Sequence, residues 1–544
     1  MLASALALLA LASAATSSPV IDVRAAPSTL LRTRQSTTSP TVDVRNGTLQ
    51  GRYEPGFDQD IFLNIPYAAP PTGDLRLANP TPAVGWNDTR DATSWGNVCP
   101  GSGISSTPNA TLAQNYVLDE DCLNINIIRP SGVAEGDDLP VLFWIYGGGF
   151  VQGTANDPRY NGSYLVQRSV ETGQPIIFAS INYRLGAFGF PAGESAANTD
   201  SLNLGIKDQR RALHWVQENI AAFGGAPDKV TIWGQSAGGM SVTLQLLAYR
   251  GRNDGLFRGA FIDSGIFAYQ NNTLDSQQAG WASFLTATGC TDNDDELSCL
   301  RAVPYADYYS AWLNSSFNPT PFPDGKLIYQ QNILAIQAGE VATVPVVIGA
   351  TRDEATCGFG NVFKGNSNNS LDGLLAVYPD DNEIGCPFGT GDGVVSTGLQ
   401  DKRSNAMWTD GVHAGSRYFA QQFSWKAPVW SWRFHQVPQN STIDQGSAHA
   451  NELPYIFRVL ERTPRTPLGN RPGDLDLSLK MQDYWINFVN HLSPNKGSTP
   501  AVYWPTYDKS SQNLIFQNNE TRVEKDDYRK EAQAYQIKLA LGQA

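Results

Sequence analysis

The stretch KVTIWGQSAGGM, residues 229–240, combines a strand-forming run, a serine between two glycines and the start of an apolar helical pattern. Val230–Gly234 is rich in β-branched and aromatic residues, which predicts a strand. Apolar residues then recur at helical spacing from Met240 to Ala248. A sharp turn between a strand and a helix projects the residue at its apex above the sheet edge. The stretch therefore predicts an exposed nucleophile, Ser236.

The rest of the chain repeats the alternation of strand-like and helix-like segments. Further apolar runs occur at Leu139–Tyr146, Ile176–Tyr183, Gly259–Asp263 and Val344–Gly349. Helix-like stretches separate these runs. This order predicts an α/β fold with a large, mostly parallel sheet flanked by helices.

A second serine stands in a similar local sequence, Gly193-Glu194-Ser195-Ala196-Ala197. It lacks the final glycine, no strand-like run precedes it and a polar stretch follows. We therefore interpret Ser195 as a loop serine and retain Ser236 as the candidate.

A run of three glycines, Gly147 to Gly149, follows the strand-like run Leu139–Tyr146. Glycines leave their backbone N–H groups uncovered, and such donors can stabilise the oxyanion of a tetrahedral intermediate. The N–H of Ala237, directly after the serine, can contribute to the same site. A flexible turn is the alternative interpretation, and the position at a strand end favours the functional one.

A serine nucleophile needs a base, and in folds with this kind of turn the base follows the nucleophile along the chain. The chain has five histidines, and this order excludes His214. His413 and His435 lie in a predicted helix and a predicted strand. His449 lies in a loop after that strand, where functional side chains are commonly displayed. His491, in a polar turn near the C-terminus, remains an alternative.

The base in turn needs an acid that holds its imidazole in one tautomer. The pair Asp353-Glu354 follows the strand-like run Val344–Gly349 and provides two candidates. Position along the chain does not separate them. Two solvated loop carboxylates are the alternative, and that is the commonest fate of such a pair.

At these residues the chain resembles the type-B carboxylesterase/lipase family, the cholinesterase-like branch of the α/β-hydrolases, in a variant typical of secreted fungal members. The stretches that carry the resemblance are Glu120–Asn124, Tyr146–Phe150, Asn182–Phe190 and 203–239, with a weaker match at Trp504–Tyr507. The resemblance implies one α/β-hydrolase catalytic domain over residues 41–544 that needs no metal or cofactor.

The resemblance also implies roles for individual residues. The second member of the acid pair, Glu354, corresponds to the family's acid, and His449 corresponds to its base. Gly148, Gly149 and Ala237 correspond to its oxyanion-hole donors. On this resemblance, Glu354 and His449 form a catalytic triad with Ser236.

The chain has six cysteines, an even number. The two disulfides common in the family correspond to Cys99–Cys122 and Cys290–Cys299. Cys357 and Cys386 remain. We expect them to pair as well, on parity alone and because Cys357 lies just after the acid pair.

The N-terminal 15 residues, MLASALALLALASAA, are an apolar run of signal-peptide length that ends in small residues. Residues 16–40 are rich in Ser, Thr, Pro and Ala and predict a flexible or processed leader. The chain also holds nine Asn-x-Ser/Thr sequons. Together these features predict a secreted, glycosylated and disulfide-bonded protein.

Composition excludes two classes of partner. The net charge is −13, whereas nucleic-acid binding needs a basic face. No stretch after the N-terminal run is apolar enough for a membrane span. The expected partner is a small-molecule ester.

The sequence of the loop inside the first predicted disulfide limits the range of substrates that we expect. Cholinesterases of this family hold the choline cation on a tryptophan there, whereas 100–121 contains only one aromatic residue, Tyr116. Gln235 also replaces the glutamate that often precedes the serine. The loop is short and polar, whereas a lipid-opened lid needs an apolar face. We therefore predict a carboxylesterase, with a lipase or sterol esterase as the alternative, and an inactive binding or adhesion protein as the alternative of another class.

Overall fold

The computed structural model describes residues 39–103, 116–268, 272–291, 293, 295–357, 377–378, 399–439, 446–458, 471–498 and 500–543. The predicted signal peptide and nearly all of the predicted leader lie outside these residues. Cys386 also lies outside them, so the pairing of Cys357 with Cys386 stays a prediction.

The strands belong to a small sheet near the N-terminus and to a large central one. They are β1 Thr41–Val44, β2 Gly47–Gln50, β3 Arg52–Glu54, β4 Gln59–Pro66, β5 Arg90–Asp91, β6 Asn124–Pro130, β7 Leu139–Ile145, β8 Ile177–Ile181, β9 Gly225–Gln235, β10 Gly259–Asp263, β11 Val346–Thr351, β12 Val429–Phe434, β13 Gln512–Phe516 and β14 Arg522–Lys525.

The central sheet has eleven strands in the order β14-β13-β12-β11-β10-β9-β7-β8-β6-β4-β3 among the described residues. Strands β8, β7, β9, β10, β11, β12 and β13 pair in parallel. The pairs at both edges are antiparallel. The central strands are buried along their whole length, as expected for parallel strands that helices cover on both faces. The predicted α/β fold with a mostly parallel sheet is confirmed.

The helices connect these strands. They are α1 Ser163–Glu171, α2 Gly186–Gly189, α3 Glu194–Asn198, α4 Leu204–Asn219, α5 Ala237–Gly251, α6 Leu274–Thr288, α7 Glu296–Ala302, α8 Tyr305–Asn314, α9 Asn332–Gln337, α10 Leu399–Phe423, α11 Leu453–Ile456, α12 Pro472–His491, α13 Tyr507–Ser510 and α14 Lys530–Ala540. Short 3₁₀ turns occur at Gly73–Leu75, Pro158–Tyr160, Ile220–Phe223 and Glu354–Cys357.

Two groups of helices cover opposite faces of the sheet, as neighbouring residues of β9 show. The ring of Trp233 stacks on Phe457, with centroids 4.8 Å apart, and lies 6.5 Å from Trp485 of α12. A Cβ on the next residue, Gly234, would lie 2.3 Å from the carbonyl oxygen of Gly238 in α5. Successive strand residues point to opposite faces, so α5 and α12 lie on opposite sides of β9.

The strand before the serine is longer than predicted. We predicted Val230–Gly234, whereas β9 begins at Gly225, five residues earlier. Gly225 pairs with Leu139, and the register then shifts before Val230 pairs with Val141. This irregularity places the proline outside the regular ladder, where its missing N–H costs no hydrogen bond.

A second, smaller apolar cluster lies around α6, α7 and α8. It includes Trp281, Phe284, Tyr308 and Trp312, all buried. The disulfide between Cys290 and Cys299 connects the region after α6 to α7. Cys99 and Cys122 form a second disulfide, which lies against the main core.

Every helix in the described part of the chain is too short or too polar to cross a membrane.

Candidate active site

Ser236 occupies the turn between β9 and α5, and its backbone has φ 59° and ψ −127°. A non-glycine residue in such a conformation costs about 1–3 kcal/mol and persists only where the surroundings enforce it. The Ser236 N–H donates to the carbonyl oxygen of Asp263 at 2.9 Å. A Cβ at Gly238 would lie 2.0 Å from the carbonyl oxygen of Ile145, so only glycine permits this close approach. The strained turn leaves Ser236 half-buried at the carboxyl end of β9.

The glycine run after β7 lies against this turn. A Cβ at Gly147 would lie 2.9 Å from the Cβ of Ser236 and 3.4 Å from the nitrogen of Ala237. Gly148 has φ +119°, which favours glycine. Within the described residues, the N–H groups of Gly148, Gly149 and Ala237 donate to no protein acceptor. Two of these donors lie in the glycine run that contacts the serine turn, and that of Ala237 is at the N-terminus of α5, where the helix dipole favours negative charge.

The ring of His449 connects the acid loop to the serine turn. Its Nδ1 contacts Oε2 of Glu354 in a very short hydrogen bond. Its Nε2 lies 3.2 Å from the side-chain nitrogen of Gln235, the residue before the serine. An amide nitrogen only donates, so Nε2 is the acceptor and the ring proton is on Nδ1, facing the carboxylate. In this tautomer Nε2 is the acceptor nitrogen, and it lies against the residue directly before Ser236.

The two neighbouring carboxylates have different contacts, which sequence position could not distinguish. Glu354 accepts hydrogen bonds at Oε1 from the Thr351 N–H, at 2.7 Å, and from the Ser264 hydroxyl, at 2.5 Å. Its other oxygen faces the imidazole. Asp353 accepts the Ser447 N–H at 2.8 Å and thereby anchors the loop that carries the histidine. Glu354 thus orients the ring, and Asp353 orients the backbone around it.

The pKa values of the pair follow from these contacts. Burial opposes ionisation of Glu354, but the adjacent His449 charge and the hydrogen bonds to its oxygens lower its pKa below the ordinary value. Burial likewise disfavours the charged imidazole, yet Glu354 raises the pKa of His449 above its ordinary value. An ionised carboxylate therefore stabilises the imidazolium that forms when the ring accepts a proton.

All five histidines lie in the described residues, and the other four have lowered pKa values. Burial lowers the pKa of His214, His413 and His491, and lowers that of His435 to about 2. His413 is bonded to a main-chain carbonyl, and His491 ends α12 instead of lying in the turn that we predicted. Among the five, only His449 has a raised pKa, and Glu354 bonds directly to its ring.

The competing serine has a structural role. Ser195 lies in the short helix α3, so its assignment to a loop was wrong. Its hydroxyl donates to a carboxylate oxygen of Glu296 at 2.5 Å, and the same oxygen accepts the Trp281 indole N–H at 3.1 Å. This serine ties α3 to the second apolar cluster.

Sequence reasoning missed two buried carboxyl groups near the triad candidates. Burial raises the pKa of Asp263, which accepts the Trp233 indole N–H at 2.6 Å, to about 8. Burial and the nearby carboxylates also raise the pKa of Glu452, three residues after His449, well above its ordinary value. Asp263 ends the strand beside β9, and this position at the carboxyl edge of a parallel sheet was the available signal.

Comparisons with known proteins identify a family that covers most of the chain. The model of the carboxylesterase family matches residues 38–374 and 396–536. A secreted triacylglycerol lipase of Gibberella zeae is 32% identical over 570 positions, which cover 95% of this chain and 91% of that protein. A para-nitrobenzyl esterase of Bacillus subtilis is 32% identical over 506 positions, which cover 89% of this chain and 96% of that protein.

Solved structures match over nearly the same length. The crystal structure of EstA of Aspergillus niger superposes with a TM-score of 0.80 at 28% identity and covers 93% of this chain and 99% of its own. The carboxylesterase EST55 of Geobacillus stearothermophilus superposes with a TM-score of 0.74 at 29% identity. These matches, together with the family match over most of the sequence, place the chain in the carboxylesterase family.

Proposed function

We propose that the protein is a serine carboxylic ester hydrolase in which Ser236, His449 and Glu354 form the catalytic triad. One observation carries the proposal. The His449 ring is held between Glu354 at Nδ1 and the residue before the serine at Nε2. This arrangement gives the imidazole the tautomer that a general base needs beside a strained serine turn.

In the first half of the reaction, the Ser236 oxygen attacks the ester carbonyl while His449 Nε2 accepts the hydroxyl proton. The carbonyl oxygen becomes an oxyanion, and the N–H groups of Gly148, Gly149 and Ala237 stabilise it. One such donor contributes about 3–4 kcal/mol to transition-state stabilisation. Collapse of the intermediate breaks the bond to the alkoxide, which leaves with the proton from His449.

In the second half, His449 removes a proton from water, and the resulting hydroxide attacks the acyl group on Ser236. The same three N–H groups bind the second oxyanion. Collapse releases the carboxylic acid and returns the proton to the serine oxygen. Glu354 stays ionised throughout and stabilises each imidazolium.

The test is Ser236→Ala, with Ser195→Ala as the matched control because it removes a hydroxyl from a similar local sequence. We expect Ser236→Ala to lower kcat on p-nitrophenyl butyrate by on the order of 10⁶-fold and to abolish labelling by a fluorophosphonate. Ser195→Ala should retain labelling and turnover. Labelling that persists in Ser236→Ala would refute the assignment, and a wild-type protein that neither labels nor turns over would support an inactive binding protein.

The substrate class that we propose is a small or water-soluble carboxylic ester. The polar loop inside the Cys99–Cys122 disulfide supports this choice, because a lid that opens at an oil surface needs an apolar face. The relative from Bacillus subtilis is named a para-nitrobenzyl esterase. We expect rates on tributyrin to level off below its solubility limit.

A lipase is the second candidate, and the names of several relatives favour it. The relative from Gibberella zeae is a triacylglycerol lipase, and relatives from Geotrichum candidum and Diutina rugosa are named lipases. A sharp rise in rate once tributyrin exceeds its solubility limit would establish this alternative. A panel of p-nitrophenyl esters from acetate to palmitate would then define the acyl-chain preference.

We also propose that the protein is secreted. Its relatives from Gibberella zeae and Botryotinia fuckeliana are named secreted lipases. The two disulfides are stable in an oxidising compartment and rare in a reducing one. Expression in a fungal host should place the ester hydrolase activity in the culture medium, and activity retained in the cells would contradict the proposal.

A further inference from the structure

A cleft outside the triad lies over the edge of the central sheet formed by β3 and β4. It encloses about 180 Å³, far more than the roughly 10–15 Å³ that one water molecule needs. Buried side chains of Ile61, Leu63 and Ile128 form its floor, and Phe57 and Trp95 line it as well. Trp95 is 40% exposed, which is unusual for a tryptophan beside an apolar floor. The cleft thus offers one aromatic face and room for a small ring.

The polar groups of the cleft include donors and acceptors. Arg52 lines it, and its Nε is buried without a hydrogen-bond partner within the described residues. The remaining contact of its guanidinium is a long hydrogen bond of 3.3 Å from Nη1 to a main-chain carbonyl. Glu54 lines the same cleft, and Asp157 does so while it binds Arg159 through 2.6 Å and 2.9 Å contacts. A neutral ligand with several hydroxyl groups suits this mixture better than a single charge does.

One residue of the cleft is also a glycosylation sequon, Asn161-Gly162-Ser163. The side-chain Oδ1 of Asn161 accepts the Ser163 N–H at 3.1 Å, while Nδ2 of the same side chain donates no hydrogen bond within the described residues. Two other sequons differ from it. The Nδ2 groups of Asn46 and Asn314 donate to main-chain carbonyls at 2.8 Å and 2.9 Å. The nitrogen that a glycan requires is therefore unengaged at the edge of a cleft suited to a sugar.

We propose that Asn161 carries an N-linked glycan whose first N-acetylhexosamine occupies this cleft, against Trp95. Transfer from a lipid diphosphate oligosaccharide in the secretory pathway forms the bond between Nδ2 and the anomeric carbon of the sugar. The bond from that carbon to the diphosphate breaks, the lipid diphosphate leaves, and the amide proton passes to a base of the transfer machinery. The apolar face of the sugar packs on the indole, and its hydroxyl and acetamide oxygens accept from the Arg52 guanidinium.

Covalent attachment explains how so open a cleft can retain a sugar. A tethered ligand has an effective concentration in the millimolar range, so weak stacking and a few hydrogen bonds suffice for occupancy. The bound sugar would also cover the exposed indole of Trp95. The Gly96 carbonyl accepts the Asn156 side-chain N–H at 2.8 Å, which holds the tryptophan segment next to the turn that carries Asn161.

The first experiment is site-specific glycopeptide mapping of protein secreted by a fungal host. We expect Asn161 to be occupied, and to resist an endoglycosidase in the folded protein while it is cleaved after denaturation. Asn519, an exposed sequon outside the cleft, is the control and should be cleaved in both states. The inference rests on the proposed secretory route. An unoccupied Asn161 among occupied sequons would overturn this inference alone, whereas no occupied sequon at all would count against the secretory route.

The second experiment tests whether the sugar packs in the cleft. It is a double-mutant cycle of Asn161→Gln and Trp95→Ala in which the melting temperature of each variant is measured. If the sugar packs on the indole, each single substitution lowers the melting temperature. The double variant then has the same melting temperature as Asn161→Gln alone, because the contact is already lost. Additive decreases in melting temperature would show that the sugar does not pack against Trp95 in the cleft. Asn519→Gln combined with Trp95→Ala should be additive. If Asn161→Gln is not secreted, the native endoglycosidase protection of wild-type protein decides the question by itself.

Discussion

The Glu354→Gln variant tests the acid most directly, because it preserves shape and removes one charge. In the structure, one glutamate oxygen accepts from the Thr351 N–H and the Ser264 hydroxyl, and the other faces His449 Nδ1. A glutamine can keep its carbonyl oxygen on the first side. Its NH₂ group then faces Nδ1 and needs a lone pair there, so the ring proton moves to Nε2. A protonated Nε2 cannot accept the proton of Ser236.

The expected cost follows from that change of tautomer. In a serine hydrolase, a neutral amide in place of the acid lowers kcat roughly 10⁴-fold with little change of geometry. At 1.36 kcal/mol for each factor of ten, this equals about 5.4 kcal/mol of lost transition-state stabilisation. The value of KM should change little, since the glutamate contacts no substrate group in the proposed mechanism.

The assay is steady-state hydrolysis of p-nitrophenyl butyrate, with melting temperature as the check on folding. Asp353→Asn is the matched control, because Asp353 binds the loop backbone at Ser447 and does not contact the ring. We expect that variant to lose mainly stability. If Glu354→Gln retains kcat within tenfold of wild type while Asp353→Asn loses a factor of 10³ or more, the reasoning is wrong and the neighbouring aspartate is the acid.

Three further outcomes follow from the site. Since its carboxylate partner raises the pKa of His449, kcat/KM should fall on the acid side with a midpoint above 6.5, and a midpoint below 6.5 would contradict the ion pair. Gly147→Ala places a Cβ 2.4 Å from the Gln235 carbonyl oxygen, so we expect it to cost about 1–3 kcal/mol in urea denaturation and on the order of 100-fold in kcat. Burial raises the pKa of Asp263 to about 8, so the folded state binds more protons than the unfolded state between about pH 4 and pH 8, and stability falls as pH rises through that window. Asp263→Asn, which keeps an acceptor for the Trp233 indole, should flatten that decline in a plot of melting temperature against pH, and an unchanged slope would contradict the assignment.

The sequence predicted an alternation of strands and helices, because burial on both faces leaves long apolar runs in parallel strands. Gly259–Asp263 was predicted with the boundaries that the structure has. The sequence could not predict that β9 begins as early as Gly225. That start depends on the pairing of Gly225 with Leu139 and on an irregularity that accommodates Pro227. Local turn signals describe a residue's own conformational preferences, whereas strand boundaries depend on which partner lies alongside.

The candidate site was predictable where chemistry constrains residue type. A strained turn with glycines on both sides marks Ser236, and a shortage of histidines limits the choice of base. The separate roles of Asp353 and Glu354 were not predictable from the residues, since neighbouring carboxylates differ only in the direction of their side chains. Direction is fixed by the 3₁₀ turn that begins at Glu354 and by the loop at Ser447, which lies 94 residues after Asp353 in the chain.

The buried carboxyl groups explain why one acid in this region carries the charge. Glu354, Asp263 and Glu452 are all buried, and burial raises the pKa of each. Only Glu354 has a His449 contact and hydrogen bonds strong enough to reverse that effect. Its ionisation in turn raises the pKa of the other two, because like charges in a medium of low polarity repel each other. The imidazole therefore faces one negative charge instead of three near neutral pH. A stronger negative field would raise the pKa of His449 further and keep it protonated, which would prevent it from acting as a base.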